Sequence, residues 1–240
     1  MYNAGSHDIY WLGTMVETAF RCNSYLIRDG REALIVDPGS RHTSQQLQQR
    51  VAQILPPEEI TGLILCHQDP DVAASMVDWL QINPQIRIIT SPRTHVLLPH
   101  YGITDYDYHD IAENPLLRLP SGAELEFIEA PFLHSPGAFA TYDRGANVLF
   151  SGDIWAALDM DWRLIVRDMA SHMVNMDLFH LDYMASNVAA RGFIKRLGGK
   201  TIDAIMPQHG SIIDQNNVPA ALDYLENLQC GTDLIYAELT

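Results

Sequence analysis

Leu63-Ile64-Leu65-Cys66-His67-Gln68-Asp69-Pro70-Asp71-Val72 is the stretch on which the reading of this chain turns. Its first three residues form a short apolar run that reads as a buried strand, and metal-capable side chains follow at once. His67 and Asp69 are two apart, so on an extended segment they point the same way. Asp71 follows at the same spacing, and Pro70 stiffens the turn. One local segment is thereby able to supply ligands to two ions. Three further segments repeat the theme of a strand running out into a polar loop: Phe132-Leu133-His134-Ser135-Pro136-Gly137, Leu149-Phe150-Ser151-Gly152-Asp153, and Met206-Pro207-Gln208-His209-Gly210. Imidazoles and carboxylates gathered from several strand ends are what a two-metal site needs. His67, Asp69, Asp71, His134, Asp153 and His209 are therefore the candidate ligands. The set is rich in Asp and modest in His, which favours iron over zinc. Each segment alone has an ordinary reading: Asp153 after Ser151-Gly152 could cap a turn, and Pro207-Gln208-His209-Gly210 could be a plain loop. Their joint order carries the metal reading.

Composition bounds what else the chain can do. With 240 residues, 47% of them hydrophobic, it has enough apolar surface for one substantial core. The formal charge is −15 and the only lysines are Lys195 and Lys200. Such a chain lacks the basic footprint of a nucleic-acid binder, and an anionic membrane surface would repel it. Cys22, Cys66 and Cys230 are too few and too scattered for a disulfide framework. Cys66 precedes His67 on the strand, so its side chain should face the opposite way, into the core. No signal-peptide pattern opens the sequence, and no apolar run reaches the ~18 residues of a membrane span. The reducing cytoplasm is the expected location.

Outward from the deciding stretch, Leu26-Ile27 and Leu34-Ile35-Val36 flank an Asp29-Gly30 turn and read as a hairpin. Residues 44–55 carry a helical stripe of Leu47, Val51 and Ile54 that stops before Pro56-Pro57. Residues 73–80 read as helix, 87–90 as strand, and Pro92 opens a short helix. Residues 100–122 are polar and acidic and are expected to be a surface excursion. Residues 124–129 alternate as a strand, and 139–142 with 148–151 make a second hairpin around Asp143-Arg144-Gly145-Ala146. One long helix is expected over 172–197, ending at Gly198-Gly199. A last strand covers 204–206, and a helix covers 218–228. Two halves, each with hairpins followed by helices, fit an α/β fold: an αββα sandwich of two mixed β-sheets flanked by helices. Residues 1–230 are read as one domain and 231–240 as a C-terminal tail or linker stub.

The order and context of the ligand segments, with the opening strands Asn23-Ser24-Tyr25-Leu26-Ile27 and Ala33-Leu34-Ile35-Val36-Asp37-Pro38-Gly39, resemble the metallo-β-lactamase superfamily. Within it they resemble the diiron branch: flavodiiron proteins and stand-alone oxygen-binding diiron proteins. The resemblance implies that His67, Asp69 and His134 hold one metal, Asp71 and His209 a second, and that Asp153 bridges them. Three carboxylates bring about −3 against about +4 from two ferrous ions, a balance suited to a redox pair. Zinc hydrolases of the superfamily carry His-x-His-x-Asp-His. Here Asp69 replaces the second His, and Val72, which cannot ligate, replaces the last. The diiron branch also uses a carboxylate at the former position, more often Glu than Asp.

These features imply a protein that binds dioxygen at two iron ions, as a sensor acting alone or through a signalling partner. Flavodiiron reductases deliver electrons from a flavodoxin domain, and no phosphate-cradling loop after a strand is evident here, so no FMN is expected in this chain. The competing readings are an oxygen or nitric oxide reductase fed by an external electron donor, and a dinuclear zinc hydrolase. Flavodiiron proteins pair head to tail, so the resemblance also admits a homodimer. Among the other histidines, His7, His42, His95, His100 and His109 are expected at the solvated surface. His172 and His180 are expected to pack in or on the long helix, with an approach to the metal site as the alternative. Tyr183 and Trp155 are aromatic candidates for a lining that keeps an oxygen pocket dry.

Overall fold

The computed structural model describes residues 2–13 and 18–239. Its strands are β1 (Tyr2–Asn3), β2 (His7–Trp11), β3 (Tyr25–Asp29), β4 (Glu32–Val36), β5 (Gly62–Ile64), β6 (Arg87–Thr90), β7 (Asp107–Asp110), β8 (Leu116–Arg118), β9 (Glu124–Glu129), β10 (Phe139–Asp143), β11 (Val148–Gly152), β12 (Ala204–Pro207) and β13 (Ile213–Asp214). β1 to β7 form one sheet in chain order, and the second sheet runs β13-β12-β11-β10-β9-β8. Both sheets are mixed. β1 to β4 are antiparallel and β4 to β7 parallel, while β11 and β12 are the one parallel pair among the described strands of the second sheet.

Alternation along the strands builds three apolar layers. In β4, Leu34 and Val36 face inward and pack with Ile9, Ile27, Phe127, Phe139 and Phe150 between the sheets. Ala33 and Ile35 face the other way, onto helices α1 (Arg41–Val51), α2 (Pro70–Ala73) and α3 (Met76–Ile82) through Leu47, Val51 and Trp79. A short α4 (Pro92–His95) follows β6. On the far face of the second sheet, Leu149 and Ile205 pack under α5 (Met169–Tyr183), α6 (Asn187–Leu197) and α7 (Val218–Asn227) through Phe179, Phe193 and Leu225. A final short helix, α8, covers Thr232–Ile235. Helix, sheet, sheet and helix are thus stacked in the αββα order that the sequence pattern implies.

Both hairpins have the chemistry expected of them. Gly30 stands at φ +56° in the two-residue turn between β3 and β4, a conformation that favours glycine. The Asp143 carboxylate accepts the backbone N–H groups of Gly145 and Ala146 at 2.9 and 3.0 Å, closing the turn between β10 and β11.

Five expectations change. The helix expected over 73–80 is broken at Ala74-Ser75, between α2 and α3. The first helix spans Arg41–Val51 rather than 44–55, and the residues after it wind down through looser turns before Pro56. The polar excursion at 100–122 contains the edge strands β7 and β8, with one paired side each: exposure keeps β7 polar (Asp107-Tyr108-His109-Asp110), whereas β8 is a three-residue strand, Leu116-Leu117-Arg118. The single helix over 172–197 is two. Met184 leaves the helical region at ψ 142°, and Ser186 accepts the N–H of Ala189 to start α6. His7 is buried at 4% exposure, not solvated. Of the other surface histidines, His42 and His100 are exposed, but His95 and His109 are half-buried, and His95 stacks on Tyr108 at 3.8 Å. In the terminal segment, Thr232 N–H bonds the Ala185 carbonyl at 2.9 Å; Thr240 lies outside the described residues.

His7 ties the two sheets together. Its Nδ1 lies 2.8 Å from Asp29 at the end of β3, and its Nε2 lies 2.8 Å from Asp143 at the end of β10. Both carboxylates are fully buried. The hydrogen bond to Asp143, aided by the charges of both aspartates, raises the imidazole pKa above its ordinary value. A raised histidine pKa stabilises the fold fully below the unfolded value of about 6.5, and that contribution is lost as pH climbs through the folded value. His7→Ala leaves two buried carboxylates facing each other and should cost about 3–5 kcal/mol of unfolding free energy near pH 6. Denaturant unfolding measures it, and the gap to wild type should narrow as pH rises through the raised folded pKa. A cost below about 0.5 kcal/mol near pH 6 would show that the bridge is not structural.

Gly152 ends β11 at φ +56°, where a bulge displaces the register between Phe150 and Gly152. A Cβ there would sit 2.7 Å from Cys66 Sγ and 3.1 Å from its Cβ. Gly152→Ala should therefore cost about 2 kcal/mol through strain and overpacking, lowering the melting temperature by about 5 °C. An unchanged melting curve would contradict this packing.

Candidate metal centre

Each candidate ligand leaves the end of a strand at the same rim of the sandwich. Beyond β5, Leu65 still pairs with Ile89 at 3.0 Å, and the Cys66 N–H donates to the Asp37 carboxylate at 3.0 Å. The chain then turns through His67 to Asp69, whose carbonyl accepts the N–H groups of Val72 and Ala73 at the start of α2. His67 and Asp69 point the same way, as their spacing implies. Asp71 does not continue an extended run: it sits in the first turn of α2, and its carboxylate reaches towards His209 instead. His134 stands in the loop from β9 to β10, Asp153 follows the bulge that closes β11, and His209 follows β12. The parallel pairing of β11 with β12 brings the last two segments side by side.

Asp153 is the centre. Its Oδ2 lies 2.9 Å from His134 Nε2 and 3.4 Å from His67 Nε2. Its Oδ1 lies 3.5 Å from His209 Nε2. Asp69 Oδ2 faces the first two imidazoles at 3.6 and 3.8 Å, and Asp71 Oδ2 faces the third at 3.1 Å. All six predicted residues are thus brought together. They form two groups, His67-Asp69-His134 and Asp71-His209, that share one carboxylate.

Apart from the His134–Asp153 hydrogen bond at 2.9 Å, the inner polar atoms of this cluster do not satisfy one another. Nε2 of His67, Nε2 of His209 and Oδ1 of Asp153 are buried without a hydrogen-bond partner. Buried polar atoms are nearly always paired, so three orphans at one point mark a place built for something else. The Nδ1 of His209 lies 2.8 Å from the Arg21 carbonyl, which can only accept. Nδ1 therefore carries the proton of the neutral ring, and the Nε2 lone pair faces the two aspartates. A cation between them resolves that conflict, and this residue set fits one.

Electrostatics agrees. Burial pushes the Asp153 carboxyl up, but His67, His209 and His134 outweigh it and hold the group well below the usual carboxylate range. Asp71 is lowered too, its burial outweighed by the facing His209 imidazole at 3.1 Å. Burial disfavours a charged His209, yet the charge of Asp153 raises its pKa well above the ordinary value, so without a cation a proton takes the Nε2 position, and a metal ion bound there displaces it. Both carboxylates therefore stay anionic at neutral pH, as metal ligands must.

A second layer of contacts orients the first, and sequence reasoning missed most of it. Gln68 donates to Asp69 Oδ1 at 2.8 Å and is itself held by the Ser135 hydroxyl, while Tyr101 donates to the Gln68 carbonyl, each at 2.5 Å. Gln208 donates to the Asp71 carbonyl at 3.0 Å. Nothing in a lone glutamine advertises such a role; only its place beside a candidate ligand hinted at it. His180 is fully buried. Its Nδ1 lies 2.9 Å from the Met176 carbonyl, and its Nε2 accepts the Trp155 N–H at 2.9 Å, so it braces the turn that presents Asp153. His172 instead lines a cleft with Asp159, Arg163 and Asn175, and burial lowers its pKa to about 4. Cys66 packs in the core as expected, yet its Sγ also lies 3.0 Å from His67 Nδ1.

The aromatic lining differs from expectation. Trp155 is buried in the helix layer and donates to the Ala221 carbonyl at 2.7 Å. Tyr183 does approach His134, with ring centroids 5.9 Å apart. The other rings at the site are Phe20, 3.8 Å from the His209 ring, and Phe179, which stacks on Tyr183 at 4.6 Å and lies 5.8 Å from His134.

Residues 20–210 match the family described as ODP family beta lactamase. The apo state of the chemotaxis sensor ODP from T. denticola superposes with a TM-score of 0.87 at 31% identity, covering 99% of this chain and 97% of that one. The peroxy diiron species of chemotaxis sensor ODP gives 0.86 at 29% identity, covering 99% and 98%. Diflavin flavoprotein A 1 of Synechocystis sp. (strain ATCC 27184 / PCC 6803 / Kazusa) is 29% identical over 202 residues, 81% of this chain and 34% of its own length. The chain spans about a third of the length of the curated diflavin relatives it matches. A fold of two mixed sheets between helices, a two-part cluster of imidazoles and carboxylates at the strand ends, and the match over 20–210 agree: this chain belongs to the ODP family of the β-lactamase fold, within its diiron branch.

Proposed function

We propose that this protein is a non-haem diiron protein that binds dioxygen and serves as an oxygen sensor, alone or through a signalling partner. His67, Asp69 and His134 would hold the first iron, Asp71 and His209 the second, and Asp153, which faces both groups, would be shared between them. The observation that carries this reading is the convergence of three buried, unpartnered polar atoms on a carboxylate shared by two ligand groups. Two histidines with one carboxylate is a set suited to ferrous iron and oxygen chemistry. The similarity to a chemotaxis sensor captured as a peroxy diiron species supports the choice of iron and of dioxygen.

Bound iron supplies the electrons and the open coordination positions that dioxygen binding requires. The chain's own residues supply the rest. Gln68 fixes the Asp69 carboxylate, the Arg21 carbonyl fixes the His209 tautomer, and His180 fixes the Asp153 turn. The deep wall is sealed, with the side chains of His67 and His209 at 2% and 0% exposure. Asp69 and Asp71 remain 35% and 27% exposed, so their anionic side is the entry for cations and for a small ligand. Phe20 covers the His209 ring, and Phe179 and Tyr183 flank His134, so the imidazoles are lined by apolar surface that disfavours bulk water. Any sustained reduction of oxygen or nitric oxide would draw on an external electron donor, and we place the protein in the cytoplasm on this reading. No helix among the described residues is long and apolar enough to cross a membrane.

Metal analysis of protein purified without air, with spectra before and after oxygen, tests the proposal. About two irons per chain are expected, with a new absorption band on oxygenation that persists without a reductant. Two zinc ions and an unchanged spectrum would move the protein to the hydrolases. Continuous oxygen consumption with a rubredoxin-like or flavoprotein donor would make it a reductase. Asp153→Ala should abolish binding of at least one metal; full dinuclear occupancy in that variant would overturn the bridging assignment.

A further inference from the structure

The two ligand groups are unequal. One has three side chains, His67, Asp69 and His134, and the other has only Asp71 and His209 besides the shared Asp153. Val72, which follows Asp71, is wholly buried in the helix-side core and offers nothing. A sulfur occupies the neighbourhood instead. Cys22 Sγ lies 3.8 Å from Asp71 Oδ2, and donor atoms of Cys22, Asp71 and His209 lie within 4.8 Å of one another.

Resting on the diiron reading above, we propose that Cys22 is the third protein ligand of the metal held by Asp71 and His209. Its position is set by backbone rather than chance. Cys22 and His209 form an antiparallel bridge, Asn23 N–H bonds the Gln208 carbonyl at 2.6 Å, and Arg21 O accepts from His209 Nδ1. The segment that carries the thiol is therefore the one that sets the tautomer of the imidazole beside it. An independent feature points into the same space: His209 is fully buried, and its Nε2 has no hydrogen-bond partner. The thiol is half-buried, reachable by an incoming ion yet shielded from bulk solvent.

Coordination exchanges the S–H bond for an S–metal bond and releases the proton to solvent, with no change in oxidation state. With Cys22 as thiolate, four anionic ligands face two divalent ions, and the pair becomes neutral in its reduced form. A soft ligand on one side only also makes the two positions chemically distinct, favouring thiophilic ions at the second.

Cobalt(II) titration of the metal-free protein, read by absorption, tests this without oxygen chemistry. Wild type should take up about two equivalents, with a sulfur-to-cobalt charge-transfer band that grows with only one of them. Cys22→Ser and Cys22→Ala should lose that band and weaken one of the two sites by about 10–100-fold. The metal-free melting curves of both variants show whether the fold is kept. Two equivalents in wild type without a sulfur band would overturn the assignment while leaving the dinuclear reading intact. A band that survives in both Cys22 variants would overturn it equally, placing the sulfur ligand elsewhere, with Cys66 beside His67 as the alternative donor. Failure of wild type to bind a second equivalent would overturn both proposals.

Discussion

A carboxylate that is almost fully buried must be compensated, and Asp153 is compensated on two sides at once. Its Oδ2 faces His67 and His134, and its Oδ1 faces His209. An isolated buried anion would cost several kcal/mol and would tend to take up a proton. Here three imidazoles keep it ionised, and those imidazoles come from three separate strand ends. The carboxylate can stand there only because β11 bulges at its end and Gly152 turns where a side chain would strike Cys66. Strand order, bulge and glycine thus serve one placement.

The site is also graded from inside to outside. His67 and His209 are sealed, Asp153 lies between them, and Asp69 and Asp71 face the solvent. On the proposed diiron reading, anionic groups at the mouth would attract cations through solvent, while the imidazoles behind would keep geometry fixed. The hydrogen bonds from Gln68 to Asp69 and from Gln208 to the Asp71 carbonyl limit the motion of the two outer carboxylates. Imidazole Nδ1 contacts with the Arg21 carbonyl and Cys66 Sγ leave each inner Nε2 to face the shared carboxylate.

Much of this was legible in the residues. Apolar runs ending abruptly in His or Asp located all six clustered side chains, because a strand end is local in sequence and its polarity change is abrupt. The αββα layering followed from hairpins alternating with helices. What escaped was decided by distant partners. β7 looks like loop because an edge strand keeps one side to solvent, and β8 because three residues are too few to show an alternation. His7 looks exposed beside Gly5 and Ser6 until Asp29 and Asp143 arrive from other strands. The helical period of 172–197 runs on through a break that Ser186 alone marks, as an N-cap. Cys22 reads as one scattered thiol until the bridge to His209 sets it beside Asp71.

Anomalous diffraction from crystals grown without air, recorded on both sides of the iron absorption edge, tests the account most directly. Two iron peaks flanking Asp153 are predicted, one against His67 and His134 and the other against Asp71 and His209. A single peak, or a pair whose signal appears at the zinc edge instead, would contradict a diiron centre bridged by this carboxylate.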